Sequence, residues 1–388
     1  MNRAKLIVII YVLACLPMIM MAQKGDFNPL IVGVPSLTIA PDARGGGMGD
    51  VGAATDPDIY SQYWNPAKYA FGYSKAGIGL SYTPWLRSLV EDIDLVYLAG
   101  YYKLGDSDRH AIGASLRYFS LGMIQMTDYN NQLLAQTTPY EMSLDVSYSL
   151  KLSETFSGGV AFRYIYSDLG AGVKEDFVPG TAFAADVAGY YNNYLMMGNS
   201  ECLLGLGFNV SNIGNKISYD EGNTSIFIPT NLRVGGSLLI PLDGYNTLGL
   251  SLDLNKYLVP SSPYGRTYDT DEEKEAAIQK YEDMSPVAGI FNSFSDAPGG
   301  LSEEFEEIMW SIGAEYSYNQ QFSVRGGYFY ESPNKGNRQY FSVGAGFKLN
   351  VFQMDVAYLI STVPSNPLDQ TLRFGLSFDM DGLKNLLK

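Results

Sequence analysis

The chain carries one histidine, His110, and two cysteines in 388 residues, which removes most of the side chains that nucleophilic and metal chemistry depend on. No Ser/His/Asp or Cys/His constellation can be assembled around a single imidazole, and a metal site of histidines or thiolates is excluded with it. Cys15 lies in a segment expected to be removed, which leaves Cys202 alone and rules out an intramolecular disulfide in the mature chain. Charge is also scarce. Asp, Glu, Lys and Arg make up 17% of the residues, against roughly 25% in ordinary soluble domains. No stretch beyond the N-terminus approaches the roughly 20 apolar residues that a spanning helix needs, and mean hydropathy is -0.05.

What is abundant is glycine (41), tyrosine (30) and phenylalanine (19). Such a composition fits many antiparallel strands with aromatic belts at two water–lipid interfaces. The net charge of -15 disfavours nucleic acid and bulk anionic membrane surfaces as partners. The first residues read as a secretory signal, with Arg3 and Lys5 before an apolar run over 6–21 and the small Ala22 before Gln23. Cleavage is expected after Ala22, so 1–22 is a signal peptide. A lipobox reading of Val12, Leu13, Ala14 and Cys15 is weaker, because the apolar run continues past the cysteine.

From Ala76 to Met380 apolar and polar residues alternate in runs of barrel-strand length. In one run Met142, Leu144, Val146, Tyr148 and Leu150 alternate with Ser143, Asp145, Ser147, Ser149 and Lys151. In another, Leu248, Leu250, Leu252 and Leu254 oppose Gly249, Ser251, Asp253 and Asn255. Fourteen strands are expected, over 76–84, 93–104, 110–121, 140–152, 155–168, 181–193, 201–212, 229–241, 246–258, 307–318, 321–331, 339–349, 352–361 and 369–380. The connections alternate in length: 83–93 is long, 105–109 short, 122–139 long and 153–154 short, with 194–200 intermediate. Outer-membrane barrels pair short periplasmic turns with longer extracellular loops, and a β-sandwich gives no reason for such parity. The expected fold is an all-β transmembrane antiparallel barrel over 76–380, preceded by a segment over 23–75 that could fill the lumen and followed by a periplasmic tail over 381–388.

Three features are candidates for function. The longest loop, 259–306, holds helix formers over 269–283, with Thr270 placed to cap. Asp271, Glu272, Glu273 and Glu275 concentrate negative charge there, and 301–307 (LSEEFEE) adds a second acidic patch. The loop over 122–139 is richer in apolar side chains than solvation requires: Met123, Ile124, Met126, Tyr129, Leu133 and Leu134 could insert into a partner or fold back over the lumen. Asp145, Asp186, Asp253, Glu315 and Asp355, with Arg117, Arg163, Arg233, Arg325 and Arg373, fall on lumen-facing positions and read as a paired network. Gly45, Gly46, Gly47 and Gly49 do not make a phosphate loop, since no Lys-Ser/Thr follows. Neither a catalytic role nor a cofactor is expected.

The third feature is the segment before the first strand. Ala43 and Arg44, then Gly47, Met48 and Gly49, then Gly52, Ala53 and Ala54, then Asp56 and Pro57, and finally Tyr63, Trp64, Asn65, Pro66 and Ala67 resemble the N-terminal hatch of the FadL-like long-chain fatty acid transporter barrels. Within that superfamily, residues 35–44 (PSLTIAPDAR), 63–68 (YWNPAK) and 81–86 (SYTPWL) resemble the PorV family of type IX secretion outer-membrane proteins. The resemblance implies a fourteen-stranded barrel with a hatch, Sec-dependent export to the outer membrane, and contact with its lipid and lipopolysaccharide. It also implies binding to the type IX translocon barrel, receipt of the C-terminal domains of secreted cargo, and delivery to an attachment complex containing a sortase-like protease. The alternative it implies is a FadL-type channel for hydrophobic small molecules. Lipopolysaccharide O-deacylation, also linked to the family, is disfavoured as this chain's own activity by its single histidine. Phe378 is followed by further residues, so the usual terminal assembly signal is expected internally, over 373–378.

Overall fold

The computed structural model describes residues 27–380, apart from 88, 89, 91, 106, 107, 128–131, 171–176, 223, 265, 267, 350 and 364–367. The expected signal peptide, the tail over 381–388, Tyr129 and the side chain of Leu134 lie outside the described residues. Fourteen antiparallel strands close into a barrel: β1 (Ala76–Pro84), β2 (Ile93–Leu104), β3 (His110–Leu121), β6 (Tyr140–Lys151), β7 (Phe156–Asp168), β8 (Gly180–Met197), β9 (Ser200–Gly214), β10 (Asn231–Pro241), β11 (Asn246–Tyr257), β12 (Met309–Tyr318), β13 (Phe322–Tyr330), β14 (Gln339–Leu349), β15 (Phe352–Ser361) and β16 (Leu372–Asp379). β1 pairs with β16, and Ile78 lies opposite Phe378 in that seam. β4 (Ile124–Thr127) and β5 (Leu133–Thr137) stand apart as a two-stranded sheet.

Burial is inverted relative to a water-soluble core. On β6, Leu144, Val146 and Tyr148 are exposed while Ser143, Asp145, Ser147 and Ser149 are buried. β1 repeats this with Ile78, Leu80 and Tyr82 outside and Ser81 and Thr83 inside. An outward apolar row on every strand suits hydrocarbon, and closure leaves no sheet edge unpaired in it. Five expected strands, β1, β2, β3, β14 and β15, begin and end at the expected residues.

Two expectations need correction. The connection over 194–200 is not intermediate: β8 continues to Met197, β9 starts at Ser200, and Gly198 makes the turn at φ +68. Pairing of Tyr194 with Leu203 and Leu195 with Cys202 extends the ladder beyond the expected ends and restores the short-turn parity. The loop over 122–139 contains the β4–β5 hairpin, whose four and five residues are too short to register as alternation. One bulge interrupts the ladder, where Ala185 faces Ile213 and Val187 faces Val210. Asn212 takes φ +59 there and its N–H donates to Asp186 (2.8 Å).

Residues 34–72 form single helical turns at Pro35–Thr38, Ala43–Gly46, Ser61–Trp64 and Pro66–Phe71. Their hydrogen bonds reach strands all round the barrel. Arg117 of β3 donates to the Ser36 carbonyl (2.7 Å), and Ser149 of β6 to the Pro66 carbonyl (2.7 Å). Asn65 donates to the Gly189 carbonyl of β8 (3.0 Å), Asp253 of β11 accepts from Gly52 (2.8 Å), and Gly49 donates to Ser342 of β14 (2.7 Å). A 39-residue stretch can reach β3, β8, β11 and β14 together only from within the closed cylinder. Glycine permits the close approach: a Cβ on Gly327 would lie 2.0 Å from the Met48 carbonyl carbon.

Between β11 and β12 the chain forms three helices, α1 (Asp271–Asp283), α2 (Pro286–Asn292) and α3 (Leu301–Glu306). Thr270 caps α1, accepting from Glu273 N–H (3.2 Å), with Asp271, Glu272 and Glu273 in the first turn where the helix dipole favours them.

Candidate partner-binding site

The four hatch-motif residues are anchors. Trp64 is 1% exposed and its indole N–H donates to Asp42 Oδ1 (2.6 Å). Asn65 Nδ2 donates to the Ala53 and Gly189 carbonyls (2.8 and 3.0 Å), while its Oδ1 accepts from Ala67 N–H (3.1 Å). The Pro66 and Ala67 carbonyls accept from Ser149 and Ser157 of the wall, each at 2.7 Å. These contacts use nearly every polar atom of the motif to hold the segment to itself and to β6, β7 and β8.

The lumen charges are mostly paired. Arg163 bonds Asp145 (2.7 Å) and Asp186 (3.1 Å), and Arg325 bonds Glu315 (2.5 Å) and Asp355 (2.6 Å). Arg44 joins Asp58 (3.0 Å) to Glu315 (3.1 Å), and Arg373 pairs with Asp50, so the segment is tied electrostatically to the wall. Arg117, Arg233 and Asp253 depart from the expected network: among the described residues none has an ion-pair partner within 4.0 Å. Asp253 accepts the Gly52 and Ala53 N–H groups, and both arginines lie over the Tyr63 ring, at 5.1 and 5.2 Å.

Two spaces in the lumen are lined by the described residues. On the long-loop side a cavity of about 50 Å³ is bounded by Tyr63, Arg117, Arg163, Arg233 and Arg338. That is room for a few waters. On the short-turn side a space of about 640 Å³ is lined by charged groups, including Arg44, Asp56, Glu201, Glu315 and Lys348. His110 sits at that end, its Nδ1 2.6 Å from the Tyr148 hydroxyl.

The candidate loops are both at the long-loop end. Met123, Ile124, Met126 and Leu133 are exposed on the β4–β5 hairpin. Asp271, Glu272, Glu273 and Glu275 are exposed on α1. The patch over 301–307, expected as a second acidic surface, is corrected by the structure: Glu304 and Glu307 are 8% and 3% exposed. Lys256 bonds Glu304 (3.0 Å) and Glu307 (2.5 Å), while Lys335 bonds Glu303 (2.5 Å) and Glu307 (3.0 Å). Lys216 from the loop after β9 donates to the Tyr281 and Glu282 carbonyls (3.2 and 2.7 Å), closing the C-terminal end of α1. The sequence has no local mark for these three lysines: Lys256 and Lys335 meet carboxylates 28 to 51 residues away, and Lys216 meets carbonyls 65 and 66 residues away.

Burial raises the Glu303 carboxyl, but hydrogen bonds from Lys335, Asn28 and Gly299 N–H outweigh it and hold the group below the ordinary glutamate value. Its share of the clasp is therefore present above that ordinary value and lost as pH falls through the depressed one. Replacing Lys335 with Met should leave Glu303 and Glu307 short of a counter-charge and loosen the helical loop. Limited proteolysis in detergent is expected to cleave within 258–308 faster in the variant, while the heat-modifiable barrel band persists. Unchanged cleavage would mean that the clasp does not hold the loop.

Two solved structures similar to this chain are described as hydrocarbon transporters. The deltaS2S3 mutant of the TodX monoaromatic hydrocarbon channel superposes with a TM-score of 0.52 at 11% identity, over 87% of this chain and 98% of its own. The Pseudomonas putida toluene transporter TodX gives 0.50 at 11% identity, over 91% and 99%. At such identity the likeness establishes the fold alone, a closed antiparallel barrel of fourteen strands. No curated protein matches. Residues 22–264 match the family model described as type IX secretion system protein PorV, and the chain belongs to that family.

Proposed function

We propose that this chain binds the C-terminal signal domain of secreted cargo at the type IX translocon barrel and carries it to the surface attachment complex with the sortase-like protease. The family match is the observation that carries this reading. The long-loop end supports it, since exposed apolar side chains on β4–β5 and exposed carboxylates on α1 stand clear of the outward lipid-facing rows. Residues 23–75 act in this reading as a plug, residues 1–22 direct export through the Sec route, and residues 381–388 trail into the periplasm. Lipid and lipopolysaccharide surround the outward apolar rows. No reaction is assigned to the chain, because its one imidazole faces Tyr148 at the short-turn end, away from both loops.

The FadL-like alternative is a channel for hydrophobic small molecules, as TodX is described. It is disfavoured by the small size of the 50 Å³ cavity on the long-loop side, bounded by four arginines where a hydrocarbon would need a roomier apolar pocket. Purification of the full-length protein from native outer membranes, followed by mass spectrometry, tests both. Retention of the translocon barrel and cargo domains is expected. Retention of hydrophobic small molecules with no type IX component would overturn the proposal.

A further inference from the structure

The helix α3 is built inside out. Glu304 and Glu307, at its base, are 8% and 3% exposed, whereas Leu301 and Phe305 are 76% and 60% exposed. Leu301 and Phe305 are four residues apart and so share one face of the helix. On α2, Val287 and Phe291 repeat that spacing at 59% and 72% exposed, and Phe294 follows at 48%. A loop that needed only solubility would turn these residues over, burying leucine and phenylalanine and leaving the carboxylates in water. Lys256 and Lys335 are what hold the helix in the opposite orientation, each through two carboxylates. The cap of Ser285 on Ala288 N–H (3.3 Å) and the Lys216 contacts at the end of α1 fix the neighbouring helices. The exposed apolar residues of α2 and of α3 are therefore each presented on a braced helix.

Charge decides what covers it. Residues 269–307 contain twelve carboxylates and two lysines, and the four on the first turns of α1 are exposed and unpaired among the described residues. An outer leaflet bearing lipopolysaccharide phosphates would repel such a loop, so insertion into the membrane surface is disfavoured. We propose that α2 and α3 form a docking face for a protein partner that offers an apolar cleft bordered by lysine and arginine side chains. Phe291, Leu301 and Phe305 fill the cleft, and the α1 carboxylates meet its basic rim. This rests on the protein-handling function proposed above and places a contact of that function on the helical loop.

A photo-crosslinking residue placed at Phe291 of the full-length protein, with Tyr245 in a short turn as control, tests the proposal in intact cells of the producing bacterium. The expected result is a crosslink from Phe291 to a type IX component or cargo domain, identified by mass spectrometry, and none from Tyr245. A Leu301→Ser, Phe305→Ser double variant should lower the yield about ten-fold or more while the heat-modifiable barrel band is retained. Replacing Glu272, Glu273 and Glu275 with Lys should lower it as well. Crosslinks to lipopolysaccharide alone, or a yield unchanged in the double variant, would overturn the docking face. If the unmodified chain retains type IX components but Phe291 captures no protein, only the docking face fails. If it retains none, the function proposed above fails and the docking face falls with it.

Discussion

Replacing Arg163 with Met is expected to destabilise the barrel by roughly 3–5 kcal/mol, the range for removing one partner of a buried ion pair. Arg163 is 5% exposed and bridges Asp145 on β6 to Asp186 on β8, so its loss strands two carboxylates that are 3% and 1% exposed. Asp186 also holds the bulge by accepting Asn212 N–H (2.8 Å), and the Asn212 side chain is itself bonded by Arg163. The variant should unfold at distinctly lower urea than the parent, followed by the shift of the folded band on unheated gels. Adding Asp145→Asn and Asp186→Asn should recover part of the loss, because a buried amide costs less than a buried unpaired charge. An Arg163→Met barrel as stable as the parent would show that the network contributes little.

The second large effect is expected inside the lumen. Trp64 is 1% exposed, and its ring lies so close to Gly52 that a Cβ there would be 2.2 Å from it. Truncation to Ala removes that packing and leaves Asp42, 0% exposed, without the indole donor. A Phe/Trp→Ala change in a packed site costs about 3–5 kcal/mol, here taken from the docking of 34–72 and not from the strand ladders. The barrel should therefore stay folded while the segment is released. In planar bilayers the parent is expected to be silent and Trp64→Ala to show discrete conducting steps. A silent variant, or a conducting parent, would contradict the view that this segment closes the lumen.

The barrel was legible in the sequence because two independent regularities agree in it. Alternation placed the strands, and the parity of connection lengths placed their ends, which is why β1, β2 and β3 fall on the expected residues. The same reasoning stopped at Asn193 on β8 because the exposed run Tyr194, Met196 and Met197 leaves the buried-polar pattern, although backbone pairing to Ser200–Leu203 continues. Resemblance marked Trp64–Ala67 as a hatch motif but not as anchors, since the partners Gly189, Ser149 and Ser157 lie about 80 to 125 residues away. The acidic run over 301–307 misled for a related reason. A string of glutamates has no local sign that it faces inward, and the lysines that draw it in come from β11 and from the turn after β13. The i, i+4 apolar pairs Val287/Phe291 and Leu301/Phe305 were the available signal.

The most direct test of a protein-handling barrel is a pair of titrations on the detergent-purified full-length protein. One adds the isolated C-terminal signal domain of a secreted cargo, and the other adds toluene or a long-chain fatty acid, with heat of binding recorded for both. Saturable binding of the domain, with no lumen binding of either small molecule, is the expected result. Saturable small-molecule binding with the cargo domain left unbound would contradict it.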